Sequence, residues 1–401
     1  MTFESLTCNS QSDPIAIEDP EPLLSWIIDA GGFNRKQSAF QVLVASNPDL
    51  LDEKLADIWN SQKVRSSQSI HNKYQGKKLL PVQKYWWKVR VWDEYGEVSG
   101  WSSEQSFEMG LMKESNWENA RWISLKDDTR TSEHRFREYK TGRMAVPSMV
   151  TSQGVGYFRK VFDAEKKIQS ARAYICGLGY YELYINGEKT GDHVLDPAPS
   201  NYDKQAYYIS YDVSSQLKTG NNSIGIMLGN GFYGQNISWK SDPESERDLA
   251  FGVPAVRLLI KLTYTDGSQE SYMTDESWKE STGPIVFDNI YGGDTYDARY
   301  EINGWNEVEY DDSEWGSVNV ISPKVNKISA QQIPPIRKLK ELSPQRVFKS
   351  VKGNWVVDFG QNIAGWVQIT VKEKEGQVIR LIPTEALTQK GDDIYPGSTG
   401  G

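Results

Sequence analysis

Four aspartates, Asp192, Asp196, Asp203 and Asp212, are spread over irregular sequence that includes Gly191-Asp-His-Val-Leu-Asp-Pro-Ala-Pro. Carboxylates set among unladdered carbonyls are donors for a hard cation, so Asp192 and Asp196 are candidate calcium ligands, with turn-capping Asp as the competing reading. Gly229-Asn-Gly-Phe-Tyr-Gly234 has the spacing G-x-G-x-x-G and follows an apolar strand, Ile224-Gly-Ile-Met-Leu228. A dinucleotide site needs a helix to open in that loop. Gln235-Asn-Ile-Ser-Trp-Lys-Ser-Asp-Pro243 has no helical period, so a glycine-rich loop between strands is expected. Asp242, Glu244, Glu246 and Asp248 recur at every second residue, as the first ligands of a calcium loop do. Arg247 then falls where the turn needs Gly, and Val253 where a bidentate Glu belongs, which leaves a solvated acidic loop. No G-x-S-x-G, P-loop or H-E-x-x-H occurs in the chain.

Aromatic residues are the other chemical lead, with 14 Trp, 21 Tyr and 12 Phe in 401 residues. Trp and Tyr faces stack on sugar rings while their polar tips bond hydroxyls. Trp86 and Trp92 with Lys88 and Arg90 read first as a cation–aromatic ladder on one sheet face. Paired carboxylates for glycoside hydrolysis, ~5–9.5 Å apart, are set by the fold and cannot be picked out by sequence distance. The charge of -9 disfavours a nucleic-acid partner, which needs clustered cations, and suits a neutral or cationic ligand. Cys8 and Cys176 give no disulfide framework, and His71, His134 and His193 are too scattered for a Cys/His zinc site.

The elements that must position these residues have a period of two. Tyr85, Trp87, Val89 and Val91 fall on one strand face, and Trp86, Lys88, Arg90 and Trp92 on the other. Val256, Leu258, Ile260, Leu262 and Tyr264 alternate in the same way, and Asp266-Gly267 leads to Gln269–Tyr272 as a hairpin with a primed turn. Tyr181, Leu183 and Ile185 run into Asn186-Gly187 with the same logic. Helical spacing is confined to short stretches such as Asp49–Ile58. The fold class is therefore all-β, built as tandem β-sandwiches. At ~150 residues per domain the length predicts two or three domains. Punctuation divides the chain into 1–110, 111–335 with an inserted connection at 126–153, and 336–401. The last series, Trp355–Phe359, Gly365–Val371 and Gln377–Ile382, has too few strands to close a sandwich, so that segment is expected to be incomplete and least protected. No apolar run approaches the ~18–20 residues that cross a bilayer, so no membrane partner is expected. The N-terminus lacks the features of a leader, although one could precede this numbering.

Several stretches together resemble the N-terminal part of bacterial alpha-L-rhamnosidases of glycoside hydrolase family 78. Tyr85-Trp-Trp-Lys-Val-Arg-Val-Trp-Asp-Glu with Ser99-Gly-Trp-Ser is similar to the family's leading fibronectin-III or immunoglobulin-like sandwich. Gly177-Leu-Gly-Tyr-Tyr-Glu-Leu-Tyr-Ile-Asn-Gly187, Gly191–Pro197, Tyr207–Val213 and Gly229–Tyr233 resemble its jelly roll, a galactose-binding-like domain. Tyr296-Asp-Ala-Arg299 with Gly304-Trp305 resembles the family's sequence beyond those motifs, and Asp358-Phe-Gly-Gln-Asn-Ile-Ala-Gly-Trp366 resembles the opening of its next β-sandwich. Gly292-Gly-Asp and Pro383-Thr-Glu385 depart from the family pattern. The resemblance implies hydrolysis of terminal alpha-L-rhamnose in a separate C-terminal (α/α)₆ barrel, and the barrel's Arg-Asp-Glu-Arg signature is absent here. No catalytic residue is therefore carried over. This chain would supply carbohydrate recognition and scaffolding for rhamnose-containing glycans or glycosides, with no required cofactor and with calcium at Asp192 and Asp196 as the candidate ion. A free-standing carbohydrate-binding or adhesion protein is the alternative, and a hydrolase using sandwich carboxylates a third reading. Asp192, His193 and Asp196, with Asn230 and Tyr233 on a neighbouring loop, are the candidate sugar contacts. Family members are cytoplasmic, periplasmic or secreted, which leaves the compartment open.

Overall fold

The computed structural model describes residues 1–29, 31–32, 35–126, 154–234, 251–290 and 293–395. Most of the expected connection at 126–153, the acidic group Asp242–Asp248, and His134 lie outside these residues.

Strands dominate throughout, and the first unit packs a three-stranded sheet, Thr2–Cys8, Leu23–Asp29 and Asn72–Lys73, against a five-stranded one. In the latter, Gln37–Ala45 and Lys84–Asp93 form the central antiparallel pair. Tyr85, Trp87, Val89 and Val91 are buried beside Trp26, Val42 and Phe107, while the alternate residues of the strand are half-buried. Each such large apolar side chain contributes about 1.5–3 kcal/mol by leaving water. The expected ladder forms on the other face: the Arg90 guanidinium lies 5.2 Å from the Trp92 ring and 4.6 Å from the Trp101 ring. Trp86 and Trp101 pack over a small second core of Leu43, Ala45 and Leu51.

Two local expectations change. Asp49–Ile58 holds a single 3₁₀ turn, Pro48–Leu50, rather than a longer helical stretch. The Asp52 carboxylate accepts the Lys54 N–H at 2.9 Å, a local bond that competes with a helical ladder. The hairpin joining Ala255–Tyr264 to Gln269–Met273 also lacks a primed turn. Gly267 N–H donates to Tyr264 O at 2.9 Å, and Gly267, at φ +81°, forms the bulge of a three-residue loop. Asn186-Gly187 does make the primed turn, with φ of 51° and 88°.

The second unit is a sandwich of a six-stranded and a seven-stranded sheet. The six-stranded order is Glu188–Lys189, Tyr180–Ile185, Gly220–Gly229, Gly156–Ala164, Lys279–Thr282 and Gly316–Ser317. The seven-stranded sheet centres on Ala255–Tyr264, Ile168–Leu178 and Ala206–Asp212. Phe158, Leu183, Ile226 and Leu228 from one sheet meet Ile175, Leu258, Ile260 and Leu262 from the other in a single core.

The back of the seven-stranded sheet carries Tyr174, Tyr208 and Leu259, which pack against Leu111, Trp117 and Ala120 and so join the two units. Glu108 closes this interface by pairing with Arg172, whose Nε lies 3.0 Å from both carboxylate oxygens. Burial pushes the Glu108 carboxyl up, and Arg172 opposes that push.

Beyond residue 338, among the described residues, Arg346–Lys349 pairs with Trp355–Asp358, and an isolated antiparallel bridge joins Leu387 to Ile394. Gly365–Val371 and Gln377–Ile382, expected as strands, carry no ladder, and Trp366 and Ile369 are 58% and 49% exposed. Their apolar alternation meets no neighbouring strand within the described residues, so the backbone has nothing to pair with.

Removing one member of a buried ion pair leaves the other charged and unsolvated, at about 3–5 kcal/mol. Arg172→Met should therefore lower the melting temperature sharply, and Glu108→Gln in the same chain should restore part of it. Thermal denaturation checks this, and an Arg172→Met protein as stable as the parent would contradict the role of the pair.

Candidate functional site

Asp192, His193 and Asp196 are brought together. The two-residue strand His193–Val194 pairs with Ile336–Arg337, which sets Arg337 against this loop. The Asp192 carboxylate accepts from Arg337 Nε at 2.9 Å, and that bond holds it below the usual carboxylate range. His193 Nε2 lies 3.2 Å from an Arg337 nitrogen, and His193 Nδ1 lies 2.8 Å from Asp196 Oδ2. A guanidinium only donates, so Nε2 accepts, the ring proton sits on Nδ1, and Nδ1–H donates to Asp196. Asp196 is 3% exposed and also accepts from the Tyr211 hydroxyl at 2.6 Å. Burial, reinforced by the Asp196 charge, pushes the Tyr211 phenol well up. The result is a polar relay from exposed Asp192 and Arg337 inward to Asp196 and Tyr211.

Asn230 and Tyr233 are turned into the protein. The Asn230 N–H donates to Asp288 Oδ2 at 2.5 Å and its side-chain amide to Asp288 O at 2.9 Å. Tyr233 is 4% exposed and packs edge-on to Tyr202, with ring centroids 5.1 Å apart. The backbones of the two loops, at Asp196 and Gly231, meet at one corner, Gly177–Tyr181. Tyr181 N–H donates to Asp196 O at 2.9 Å, and Gly231, at φ +52°, lies so close that an added Cβ would stand 2.9 Å from Tyr180 N. The glycines of Gly229–Gly234 thus serve close backbone approach, and the residues after Gly231 form turns rather than a helix.

A calcium ion at Asp192 and Asp196 would have to displace Arg337 from one carboxylate and Tyr211 and His193 from the other. Among the described residues no three His, Cys, Asp or Glu side chains gather as a metal-binding group. The relay partners Arg337 and Tyr211 escaped the sequence reading because they lie 145 and 15 residues from the aspartates they serve. Asp288 escaped it too. It stands opposite Asp294 in the hairpin Ile285–Asn289 with Gly293–Tyr296, and burial pushes its carboxyl from 3.8 up to about 6, helped by the Asp294 charge and opposed by the Asn230 N–H. Burial raises Asp294 as well.

These contacts make two outcomes measurable. Because the folded protein favours protonated Asp288, its stabilising contribution is full below about 3.8 and is lost as pH rises through about 6. Asp288→Asn should raise the melting temperature more at pH 8 than at pH 4; an equal change at both would contradict this burial effect. Calcium chloride and a chelator should leave the melting temperature of the parent chain unchanged, and a calcium-dependent rise abolished by Asp192→Asn would show that the ion does displace Arg337.

Three family profiles match the chain. They are described as a Rha78A-like N-terminal immunoglobulin domain over residues 3–113, an alpha-L-rhamnosidase N-terminal domain over 166–340, and a bacterial alpha-L-rhamnosidase concanavalin-like domain over 348–395. An alpha-L-rhamnosidase of Formosa agariphila is 60% identical over all 401 residues, and the chain spans 42% of its length. One from Alteromonas sp. is 32% identical over 384 residues, 95% of this chain and 40% of that protein. The solved alpha-L-rhamnosidase of Dictyoglumus thermophilum superposes with a TM-score of 0.79 at 37% identity, over 90% of this chain and 39% of that one. The Streptomyces avermitilis enzyme shares the fold, with a TM-score of 0.87 at 24% identity over 98% of this chain and 52% of that one. With the immunoglobulin-like sandwich, the jelly-roll sandwich and these matches in the same order along the sequence, the chain belongs to the alpha-L-rhamnosidase family, as its N-terminal β-sandwich region.

Proposed function

We propose that the chain serves an enzyme that releases terminal alpha-L-rhamnose from glycans or glycosides, as the scaffold beside a catalytic domain that it does not itself supply. The observation that carries this reading is the 60% identity along its full length to an alpha-L-rhamnosidase of which it spans 42%. Inverting hydrolysis needs an acid and a base on opposite faces of the sugar, ~6.5–9.5 Å apart, with room for water between them. Asp288 and Asp294 are directly opposed hairpin residues on one side of that hairpin, and Asp288 is engaged by Asn230. Recognition of the sugar by this region is part of the same proposal, and the relay at Asp192, His193, Asp196 and Arg337 offers exposed donors and acceptors for hydroxyls.

The 401-residue chain alone should therefore release nitrophenol from an aryl alpha-L-rhamnoside at no more than the buffer rate, whereas the same sequence joined to the remaining length of a Formosa-type relative should turn it over. Hydrolysis by the isolated chain that is lost in Asp288→Asn or Asp294→Asn would replace the scaffold reading with a sandwich active site.

A further inference from the structure

The seam between the two sandwiches is closed by a strap of the first unit, residues 14–18. The strap runs alongside Glu108–Gly110: Glu108 N–H donates to Pro14 O at 2.9 Å, Ile17 N–H to Glu108 O at 2.9 Å and Gly110 N–H to Ile17 O at 2.8 Å. Contact with the second unit is close, since an added Cβ at Gly110 would run into both the Tyr208 hydroxyl and the Ala16 backbone. Leu111 N–H donates to that hydroxyl at 2.8 Å, and Gln332 Nε2 donates to Ala16 O at 3.2 Å. Glu18, at the end of the strap, meets the second unit at the Tyr208 hydroxyl and the Ala330 N–H.

Three carboxylates, Glu18, Glu108 and Asp212, reach this seam, and Arg172 pairs with two of them. Its Nε lies 3.0 Å from the Glu108 oxygens and its Nη1 2.9 Å from Asp212 Oδ2. Among the described residues Glu18 forms no ion pair; Lys327 acts on it only through its charge, as Lys84 does on Glu108 and Asp212. Glu18 Oε1 is buried without a hydrogen-bond partner, and so are the hydroxyls of Tyr174 and Ser210, which stand opposite each other in paired strands. An ionised carboxylate only accepts, so its orphan oxygen holds charge out of water with nothing to balance it, whereas the neutral acid carries less charge and can also donate. Burial accordingly pushes the Glu18 carboxyl up, opposed by the Ala330 N–H, the Tyr208 hydroxyl and the Lys327 charge.

We propose that Glu18 is a proton-controlled latch between the two sandwiches: as the neutral acid it lets the strap close on Tyr208 and Ala330, and as a carboxylate it loosens the seam. When the seam opens, water reaches the carboxyl and its proton affinity returns to the ordinary glutamate range. Glu18 therefore contributes fully to docking below that range, and its contribution is lost as pH rises through the higher value of the closed seam. Glu108 is buried and pushed in the same direction, but Arg172 balances its charge in place. Asp288 titrates on the other sheet, at Asn230, so a melting temperature would mix its effect with that of the latch. A local reading at the seam separates them, and it does not depend on which sugar the enzyme acts on.

The test is hydrogen exchange of the intact 401-residue chain between pH 5 and pH 8, read by mass spectrometry and corrected for the intrinsic exchange rate at each pH. In the parent chain, protection of the peptide covering 108–112 should fall about tenfold over this range, the change that one unit of displaced proton affinity produces. In Glu18→Gln, which cannot ionise, it should change by less than about twofold and exceed the parent's at pH 8. Strands Gln37–Ala45 and Ala255–Tyr264 should keep their protection in both chains, which shows that the two units stay folded while the seam moves. Lys327→Glu, a change at an exposed residue, should move the midpoint of the fall to higher pH. The latch is overturned if seam protection in the parent is the same at both pH values, if the fall persists in Glu18→Gln, or if Lys327→Glu leaves the midpoint in place or lowers it.

Discussion

A buried guanidinium must be surrounded by acceptors, because a charge taken out of water unpaired costs several kcal/mol. Arg159, 1% exposed on the outer face of the six-stranded sheet, imposes that demand on the chain 150 residues later. Its Nε donates to Trp305 O at 3.0 Å and its terminal nitrogens to Glu307 O at 2.8 Å and Tyr310 O at 3.4 Å, with Asp312 as its counter-ion. Segment 302–315 has no regular ladder of its own, and these bonds give its carbonyls their partners. Lys279 adds a second cation at 2.6 Å from Asp312 Oδ1. Burial alone would raise Asp312, yet Lys279 and Arg159 hold it below the usual carboxylate range. The segment is therefore tied down by charge and hydrogen bonding, and its aromatic residues are placed as a consequence. Trp305 and Trp315 stack with planes 16° apart, and Trp305 closes over Gly225.

This dependence explains which parts of the protein were legible in the sequence. Alternation over Tyr85–Val91, Tyr181–Ile185 and Val256–Tyr264 is a local pattern whose cause is also local, since one face of each strand is buried and the other is not. The all-β class, the cation–aromatic ladder and the Asn186-Gly187 turn were readable for that reason. Partners of the functional side chains were not. Arg337 meets Asp192, Arg159 meets Asp312, and Asp288 meets Asn230, each across a sequence gap that only the folded register closes. The hairpin correction has a different origin: Asp-Gly fits a primed turn and a bulged three-residue loop equally well, and the choice depends on which residue of Ala255–Tyr264 begins the ladder.

The loop around His193 shows how a plausible site can be structural at one end and open at the other. Asp196 is spent on Tyr211 and His193, and its backbone is tied to Tyr181, so its removal would disturb the corner that also seats Gly231. Asp192, with a side chain 71% exposed, is tied to Arg337 instead. Substitutions at the two aspartates therefore carry different information, since a loss caused by Asp196 confounds packing with recognition and one caused by Asp192 does not.

The segment from Ile328 to Arg337 is where the order of the molecule is decided. Ile328–Ala330 adds a parallel strand to Ala206–Asp212, Gln331 accepts the Ala198 N–H at 2.8 Å, Gln332 reaches Ala16 O at 3.2 Å in the first sandwich, and Ile336–Arg337 pairs with His193–Val194. Each step finds a partner on a preformed sheet edge or loop. After Lys338 the chain keeps strand-like composition but loses those partners: Leu339 is 91% exposed and Trp355 71%, although Val356 is buried. Composition with a period of two makes a strand only when another backbone supplies the hydrogen bonds and another face covers the apolar side chains. The contrast between Val256–Tyr264, central in its sheet, and Gly365–Val371, with equally apolar alternation and no ladder, is thus a difference in neighbours rather than in sequence.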